Sequence, residues 1–167
     1  MSLIDPKWLG RCFDECAAEL VLYARQWLDS ATAEDIVQDA FIKLIHQRKP
    51  PRNVRAWLFR VVRHRAIDHL RKQGRRRDCL TQLPGRQAPW FDGAADGSLD
   101  AKMAQQALAS LKPEQREIVV LRIWGQMSLK QIGQVVDKPL STVHSRYQAA
   151  LAVLKEKMET SCKQNTT

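Results

Sequence analysis

The stretch SLKQIGQVVDKPLSTVHSRYQAALAVLKEKM (residues 128–158) decides the fold of the C-terminal part of this chain. Ser128, with Gln131 three residues later, has the pattern of a capping box and predicts a helix start. The sequence DKPL (137–140) predicts a tight turn, after which a second helix is predicted to begin at Ser141 or Thr142. Two short helices joined by a tight turn are typical of a helix-turn-helix.

The second helix of a helix-turn-helix presents the residues of its first turns to base edges in the major groove of DNA. Arg and Gln can recognise guanine and adenine, whereas hydroxyls and Lys hold phosphates. Val143 and Tyr147 are predicted to face the core. The predicted DNA contacts of this hairpin are Lys138, Ser141, Thr142, His144, Ser145, Arg146 and Gln148. The motif alone leaves open a purely structural hairpin with a solvated polar face.

Helical periodicity, with apolar residues recurring every three or four positions, also runs through most of the remaining chain. Thr32 is a predicted N-cap, Gly74 a predicted stop and Pro113 the predicted start of a helix. The predicted helices cover residues 7–28, 33–47, 54–73, 101–111, 114–124, 128–136 and 142–158, and a polar tail follows from Glu159. The sequence therefore predicts an all-α protein.

The positive charge of the chain is concentrated in residues 51–77, which contain ten Lys or Arg and one acid, Asp68. The net charge of this segment equals that of the whole chain, +9. Such a local field attracts a polyanion by releasing its counterions. Apolar side chains are interleaved with the cations, as in a folded helix. We predict a nucleic-acid surface here.

Residues 75–100 lose the helical pattern and accumulate Pro, Gly and Asp, which predicts a flexible linker. Trp90 and Phe91 inside it are predicted to dock on a partner or on a neighbouring domain. The predicted organisation has two small helical domains, at 1–74 and 101–158, separated by the linker 75–100 and followed by the tail 159–167.

Several classes of protein are disfavoured by composition. We find no apolar run long enough for a bilayer and no secretion-signal pattern, so we expect no membrane insertion and a cytoplasmic location. Cys12 and Cys16 lie four residues apart without two further zinc ligands nearby, and we interpret them as small buried residues. We expect no metal site and no cofactor.

Three runs together resemble bacterial RNA polymerase sigma factors of the extracytoplasmic-function (ECF) group. They are AEDIVQDAFIKL (33–44), RAWLFRVVRHRAIDHLRK (55–72) and the segment from Leu111 to Leu151 that contains the helix-turn-helix. Their order and spacing are similar to those of the family over nearly the whole chain. The resemblance implies a region 2-like helical bundle and a region 4-like helix-turn-helix, with no catalytic activity.

The resemblance also implies roles for residues. The first domain would bind core RNA polymerase through Asp35, Gln38, Asp39 and Lys43. The basic helix and its preceding loop would bind and open the −10 promoter element, through Lys49, Arg52, Asn53, Arg60, Arg63, His64, Arg71 and Lys72. The C-terminal domain would read the −35 element through the contacts named above. Promoter DNA and core polymerase are thus the expected partners, with an anti-sigma factor as a further candidate.

Two positions depart from the family pattern. His64 stands where the family often has Asn, so the chain lacks the amide that would contact DNA or cap a helix there. Gln131-Ile132-Gly133 stands where Glu-Ile-Ala is usual. Gln131 keeps the capping role, but Gly133 costs about 1 kcal/mol of helix stability relative to Ala. A close approach between helices at Gly133 would offset that cost.

Two other functions remain possible from the residues alone. The first is a helix-turn-helix regulator that acts without polymerase, which would not need the exposed Asp35, Gln38 and Asp39 face. The second is a metal-dependent enzyme acting on nucleic acid. Its candidate site residues would be Asp35, Asp39, His64, Asp68 and His69. No phosphate-binding Gly loop or tight His/Asp cluster accompanies them, which disfavours this enzyme.

Overall fold

A computed structural model describes residues 4–77 and 99–164 of the chain. These residues form seven helices and no strand, so the prediction of an all-α fold is confirmed. The helices are α1 (Pro6–Ala24), α2 (Ser30–Ile45), α3 (Val54–Arg77), α4 (Leu99–Ala109), α5 (Pro113–Ile123), α6 (Leu129–Val136) and α7 (Leu140–Gln164). None of the described helices is both long and apolar enough to cross a membrane.

The chain divides into two compact units, and α1, α2 and α3 belong to the first. Each of these three helices packs against the other two. Tyr23 is fully buried at their centre, with its ring 5.2 Å from that of Phe59 and 5.1 Å from that of Trp27. The largest other side chains that are wholly buried here are Leu20, Leu44, Leu58, Val37 and Val62. Most of the apolar residues predicted from helical periodicity therefore build this core, but Phe13, which the same periodicity places on the apolar face of α1, is 43% exposed.

The break between α1 and α2 differs from the sequence prediction. Helix α1 ends at Ala24, whose carbonyl accepts from both Trp27 and Leu28, and this tight turn closes the helix before residue 28. The N-cap of α2 is Asp29, because its Oδ1 accepts from the Thr32 N–H at 2.8 Å. The predicted cap at Thr32 is therefore wrong, and α2 begins one turn earlier than its apolar stripe suggested.

Helix α3 is longer than predicted. It begins at Val54, where the Asn53 side chain accepts from the Ala56 N–H at 3.0 Å, and it continues through Gly74 to Arg77. Gly74 was expected to stop the helix, but it lies inside it, and nothing would contact a Cβ added there. The predictions for the linker beyond residue 77, including Trp90 and Phe91, lie outside the described residues.

Helices α4, α5 and α7 and the start of α6 belong to the second unit, in which α4 and α5 pack against α7. Pro113 occupies the first turn of α5, as predicted. The Arg116 guanidinium fixes the end of α4 by donating to the carbonyls of Leu108, Ala109 and Leu111 at 3.0 to 3.2 Å. Burial lowers the pKa of Arg116. The buried core includes Leu111, Ile118, Leu121, Met127, Ile132 and Val143.

The capping box predicted for α6 is confirmed. The Gln131 N–H donates to Ser128 Oγ at 3.1 Å, and the Ser128 N–H donates to Gln131 Oε1 at 2.9 Å. Asp137 ends the helix in the left-handed conformation, with φ 59° and ψ 48°. This reversal of the backbone produces the predicted turn, and the chain enters the next helix within three residues.

Both ends of α7 correct the prediction. The helix begins at Leu140, before Ser141 or Thr142, because the Val143 N–H already donates to the Pro139 carbonyl at 3.1 Å. Its C-terminal end continues through the predicted polar tail to Gln164. Helical periodicity also predicts an apolar stripe along this helix, formed by Val143, Tyr147, Ala150, Leu151, Leu154 and Met158. This stripe is only partly buried, since Val143 and Ala150 are inaccessible but Met158 is 62% exposed.

Candidate nucleic-acid interface

The outward face of α2 carries the four residues predicted to bind polymerase. Asp35, Gln38, Asp39 and Lys43 are all exposed, because the apolar side of the same helix is buried against α1 and α3. Their spacing of three and four residues places them along one side of the helix. The structure thus brings this predicted set together as a continuous charged strip, which we call the α2 strip.

An apolar side chain that was not among the predicted site residues lies in the same strip. Ile42 is 53% exposed and stands three residues after Asp39 and four after Gln38. The sequence could have indicated this residue, because helical periodicity places Ile42 outside the apolar stripe of α2 and among charged residues. The α2 strip therefore combines charges that can orient a partner with an apolar group that a partner can cover.

Helix α3 separates its basic residues from its core. Ala56, Leu58, Phe59, Val62 and Ala66 are buried. On the outside, Arg60, His64, Arg71 and Lys72 are exposed, and Arg63 is half-buried.

Arg60, His64 and Arg71 follow one another at intervals of four and seven residues, so they lie on one side of the helix. The structure brings these three predicted residues together in a basic row, and Arg63 lies to one side of it.

The loop before α3 supplies three further predicted DNA contacts. Lys49 and Arg52 are exposed, whereas Asn53 is half-buried at the start of the helix. The carbonyl oxygen of the Asn53 side chain is occupied as the helix cap. A contact of Asn53 with DNA would therefore be made through its amide nitrogen.

Arg55 belongs to the same basic segment, but its side chain packs against α1. Its guanidinium forms an ion pair with Glu19, donates to Cys16 Sγ at 3.5 Å, and lies 5.8 Å from the centre of the Phe59 ring. These contacts tie α3 to α1. Charge patterning counts Arg55 in the basic field, since the sequence alone cannot tell which cation faces a carboxylate of another helix.

The first turns of α7 carry the contacts predicted for duplex DNA. Ser141, His144, Ser145 and Gln148 are exposed, as is Lys138 in the turn before them. Thr142 and Arg146 are half-buried.

Val143 has no exposed surface, so it anchors the helix in the core as predicted. Tyr147 is half-buried. The predicted set therefore surrounds one end of α7, with its polar groups directed away from the core.

Leu140 also belongs to this end of α7. The sequence pattern predicts it in the turn, but it is the first residue of the helix and is 53% exposed. No sequence signal identified it, because the helix start depends on the Pro139 carbonyl and not on a capping side chain.

Metal chemistry finds no support in the described ranges 4–77 and 99–164, where no group of three His, Cys, Asp or Glu side chains could hold an ion. Cys16 is buried and Cys12 half-buried. Burial and the neighbouring Cys16 raise the pKa of the Cys12 thiol to about 11, so this thiol stays protonated at neutral pH. Cys16 is therefore a small core residue of α1 as predicted, whereas Cys12 is only partly covered.

Two family models match the chain in the order of its units. Sigma-70 region 2 matches residues 12–76, which include the α2 strip and the basic helix. Sigma-70, region 4 matches residues 107–156, which include the helix-turn-helix. The two charged helices and the hairpin therefore lie inside these regions.

Curated relatives extend the similarity to most of the chain. ECF RNA polymerase sigma factor SigL of Mycobacterium tuberculosis is 31% identical over 150 residues, covering 86% of this chain and 84% of SigL. ECF RNA polymerase sigma factor SigW of Bacillus subtilis is 28% identical over 140 residues, which are 75% of each protein.

Two solved structures share the fold. The sigma factor RpoE in complex with the anti-sigma factor NepR, from Bartonella quintana, has a TM-score of 0.74 and 24% identity, with 93% of this chain and 98% of that chain covered. CnrH in complex with the cytosolic domain of CnrY has a TM-score of 0.63 and 23% identity, with 93% and 90% covered.

These similarities disfavour a regulator that acts without polymerase, since both sigma regions are present and the relatives match over both. The chain belongs to the ECF family of RNA polymerase sigma factors, the transcription initiation factors that bind core RNA polymerase and direct it to promoter DNA.

Proposed function

We propose that three helices of this sigma factor have separate roles in binding. The α2 strip docks on core RNA polymerase, the exposed side of α3 and its preceding loop bind and open the −10 element, and the start of α7 reads the −35 element. One observation carries the proposal: each polar set lies on the exposed side of a helix whose opposite side is buried. These side chains are available to partners without any loss of core packing.

The α2 strip suits a protein partner better than DNA. Asp35 and Asp39 would be repelled by phosphates, whereas they would be attracted to a basic surface of a protein partner. Complementary charges set orientation and the rate of encounter, whereas Ile42 supplies apolar area that becomes buried. We therefore assign polymerase docking to Asp35, Gln38, Asp39 and Lys43, with Ile42 among them.

The basic side of α3 suits DNA whose strands are separating. Arg60 and Arg71 place positive charge along the helix on either side of His64, and Lys49 and Arg52 continue this charge into the loop. Opening the promoter requires unstacked bases to be held and the single strand to be followed by cations. This work uses binding energy and breaks no bond, so we propose that the protein has no catalytic activity.

The start of α7 suits the major groove of duplex DNA. Arg146 and Gln148 can form bidentate hydrogen bonds with base edges, whereas Ser141 and Lys138 can position the backbone. We assign the −35 contacts to this end of the helix. The helices α1 to α3 and the helices α4 to α7 would then form separate DNA-binding domains, joined by the chain between Arg77 and Leu99.

The partners and the location of the protein follow from these proposed roles. Polymerase and chromosomal DNA lie in the cytoplasm of bacteria, and we place the protein there. We also propose an anti-sigma protein as a partner. Support comes from Bartonella quintana RpoE, which shares the fold of this chain over 93% of its length and is found in complex with NepR.

The decisive experiment measures pull-down of bacterial core polymerase, followed by run-off transcription from selected promoters. We expect the wild type to bind core and to start transcripts, and the double variant Asp35→Ala/Asp39→Ala to lose both activities. The matched control is Asp14→Ala/Glu15→Ala, which removes the same charge from exposed positions of α1. Failure of the wild type to bind core, or equal losses in both variants, would refute the assignment of the α2 strip.

A further inference from the structure

An exposed aliphatic side chain stands at the end of α7 that the proposed function assigns to DNA. Leu140 is 53% exposed, although it belongs to the same first turn as Val143, which has no exposed surface. The contribution of this turn to the core is thus made by Val143. More than half of the surface of Leu140 is left in water.

The neighbours of Leu140 are the polar residues proposed to contact DNA. His144 follows four residues later and therefore lies on the same side of the helix. Lys138 and Ser141 are exposed next to it along the chain. When this end of α7 enters a major groove, Leu140 enters with them, because it occupies the first helical position.

The major groove offers a specific counterpart for such a side chain. The edges of guanine, cytosine and adenine present hydrogen-bonding groups there, whereas thymine adds a C5-methyl group. An apolar side chain gains by covering this methyl group. It loses when it is pressed against the amino group of cytosine, which it cannot satisfy.

We propose that Leu140 is a specificity-determining residue that recognises the methyl group of a thymine in the −35 element. This inference rests on the proposed role of α7 and adds a base preference to it. Leu140 selects T·A over C·G at one position, and the polar residues around it hold the register on the backbone.

The test removes the methyl group from the DNA and the side chain from the protein. Holoenzyme is assembled from core polymerase and the full chain, and its Kd is measured for a selected promoter duplex. Each thymine of the −35 element is replaced in turn by deoxyuracil, which lacks only the methyl group. We expect one replacement to weaken binding about three- to fivefold, the effect of one buried methyl group.

The variant Leu140→Ala should weaken binding to the thymine duplex by at least the same factor and should show no further loss with deoxyuracil. Leu140→Met keeps an apolar side chain and should retain the sensitivity to deoxyuracil. Leu151→Ala is the matched control, since Leu151 is also an exposed leucine of α7 but stands about three turns further along. This control should behave like the wild type.

The outcomes separate this inference from the function on which it rests. If holoenzyme binds and transcribes but no deoxyuracil replacement changes Kd, the role of Leu140 is refuted and the sigma assignment stands. The role of Leu140 is equally refuted if Leu140→Ala keeps the full sensitivity to deoxyuracil. If no promoter-binding holoenzyme forms at all, the proposed function fails together with the inference.

Discussion

The Cα atom of Gly133 faces the backbone carbonyl of Lys138 across the turn of the helix-turn-helix. A Cβ on Gly133 would stand 2.8 Å from that oxygen and 3.8 Å from Cγ2 of Val143. The Lys138 N–H also donates to the Gly133 carbonyl at 3.0 Å. This turn therefore closes on a residue without a side chain. The sequence predicted a close approach between helices at Gly133; the closest contact is instead with the backbone of the turn.

Replacing Gly133 by Ala should destabilise the protein, against the usual preference of helices for Ala. The contact with a backbone oxygen cannot be relieved by rotating a side chain, so we expect a loss of about 1–3 kcal/mol in the free energy of unfolding, as in overpacked cores. Gly10→Ala is the control, because a Cβ there meets nothing and should stabilise α1 by up to about 1 kcal/mol. Urea unfolding measures both. Equal stabilisation by the two substitutions would contradict the close contact.

The basic segment should separate into cations that stabilise the fold and cations that bind DNA. Arg55→Met should lower the free energy of unfolding by about 1 kcal/mol, since it breaks a half-buried ion pair with Glu19. Arg60→Met should change that free energy by less than about 0.5 kcal/mol. It should instead weaken promoter binding. The slope of the logarithm of the binding constant against the logarithm of the salt concentration should become shallower by about one.

A double-mutant cycle with Glu19→Gln and Arg55→Met identifies the ion pair. We expect the two substitutions to be non-additive by about 0.5–1 kcal/mol, whereas Glu19→Gln and Arg60→Met should be additive. Additivity of Glu19→Gln with Arg55→Met would mean that the contact contributes nothing to stability.

The Asp29 cap of α2 should stabilise the folded protein by an amount that depends on pH. The hydrogen bonds from Thr32 lower the pKa of the Asp29 carboxyl below its ordinary value of 3.8. Because the folded pKa is depressed, the stabilisation is full above the unfolded value and is lost as the pH falls through the folded value. Asp29→Ala should cost about 1 kcal/mol at pH 7.

The control for this prediction is Asp29→Ser, which keeps a capping oxygen but does not titrate. Thermal unfolding at a series of pH values should show the difference between wild type and Asp29→Ser shrinking below pH 3.8. A difference that stayed constant throughout the acid range would exclude the charged cap.

The thiol of Cys12 should react slowly in the folded protein. Its pKa is raised from 9.0 to about 11, chiefly by burial, whereas Cys162 on α7 is exposed. At pH 8 we expect iodoacetamide to modify Cys162 at least about tenfold faster, because the thiolate is the reactive form. Peptide mass spectrometry over a time course measures both rates, and in urea they should converge. Similar rates in the folded protein would disprove the shielding of Cys12.

Local patterns predicted much of the fold and of the site. The capping box at Ser128 and Pro113 at the start of α5 depend on neighbours in sequence, and both are confirmed. Asp35 and Asp39 were predicted on an exposed face because helical periodicity alone separates them from the buried stripe. The assignment of Thr32 as a cap was wrong because two residues one turn apart, Asp29 and Thr32, are both good capping types, and local preference could not choose between them.

Sequence by itself determined which segments become helices, the concentration of positive charge in residues 51–77 and the sigma-factor family, because periodicity, composition and motif order are local or additive properties. Only the tertiary structure decided that Arg55 pairs with Glu19 instead of facing DNA. The same holds for the Lys138 carbonyl that lies against Gly133, and for the exposure of Leu140 at the start of α7. Each of these depends on the distance between groups that belong to different elements, and such distances exist only once the helices are packed.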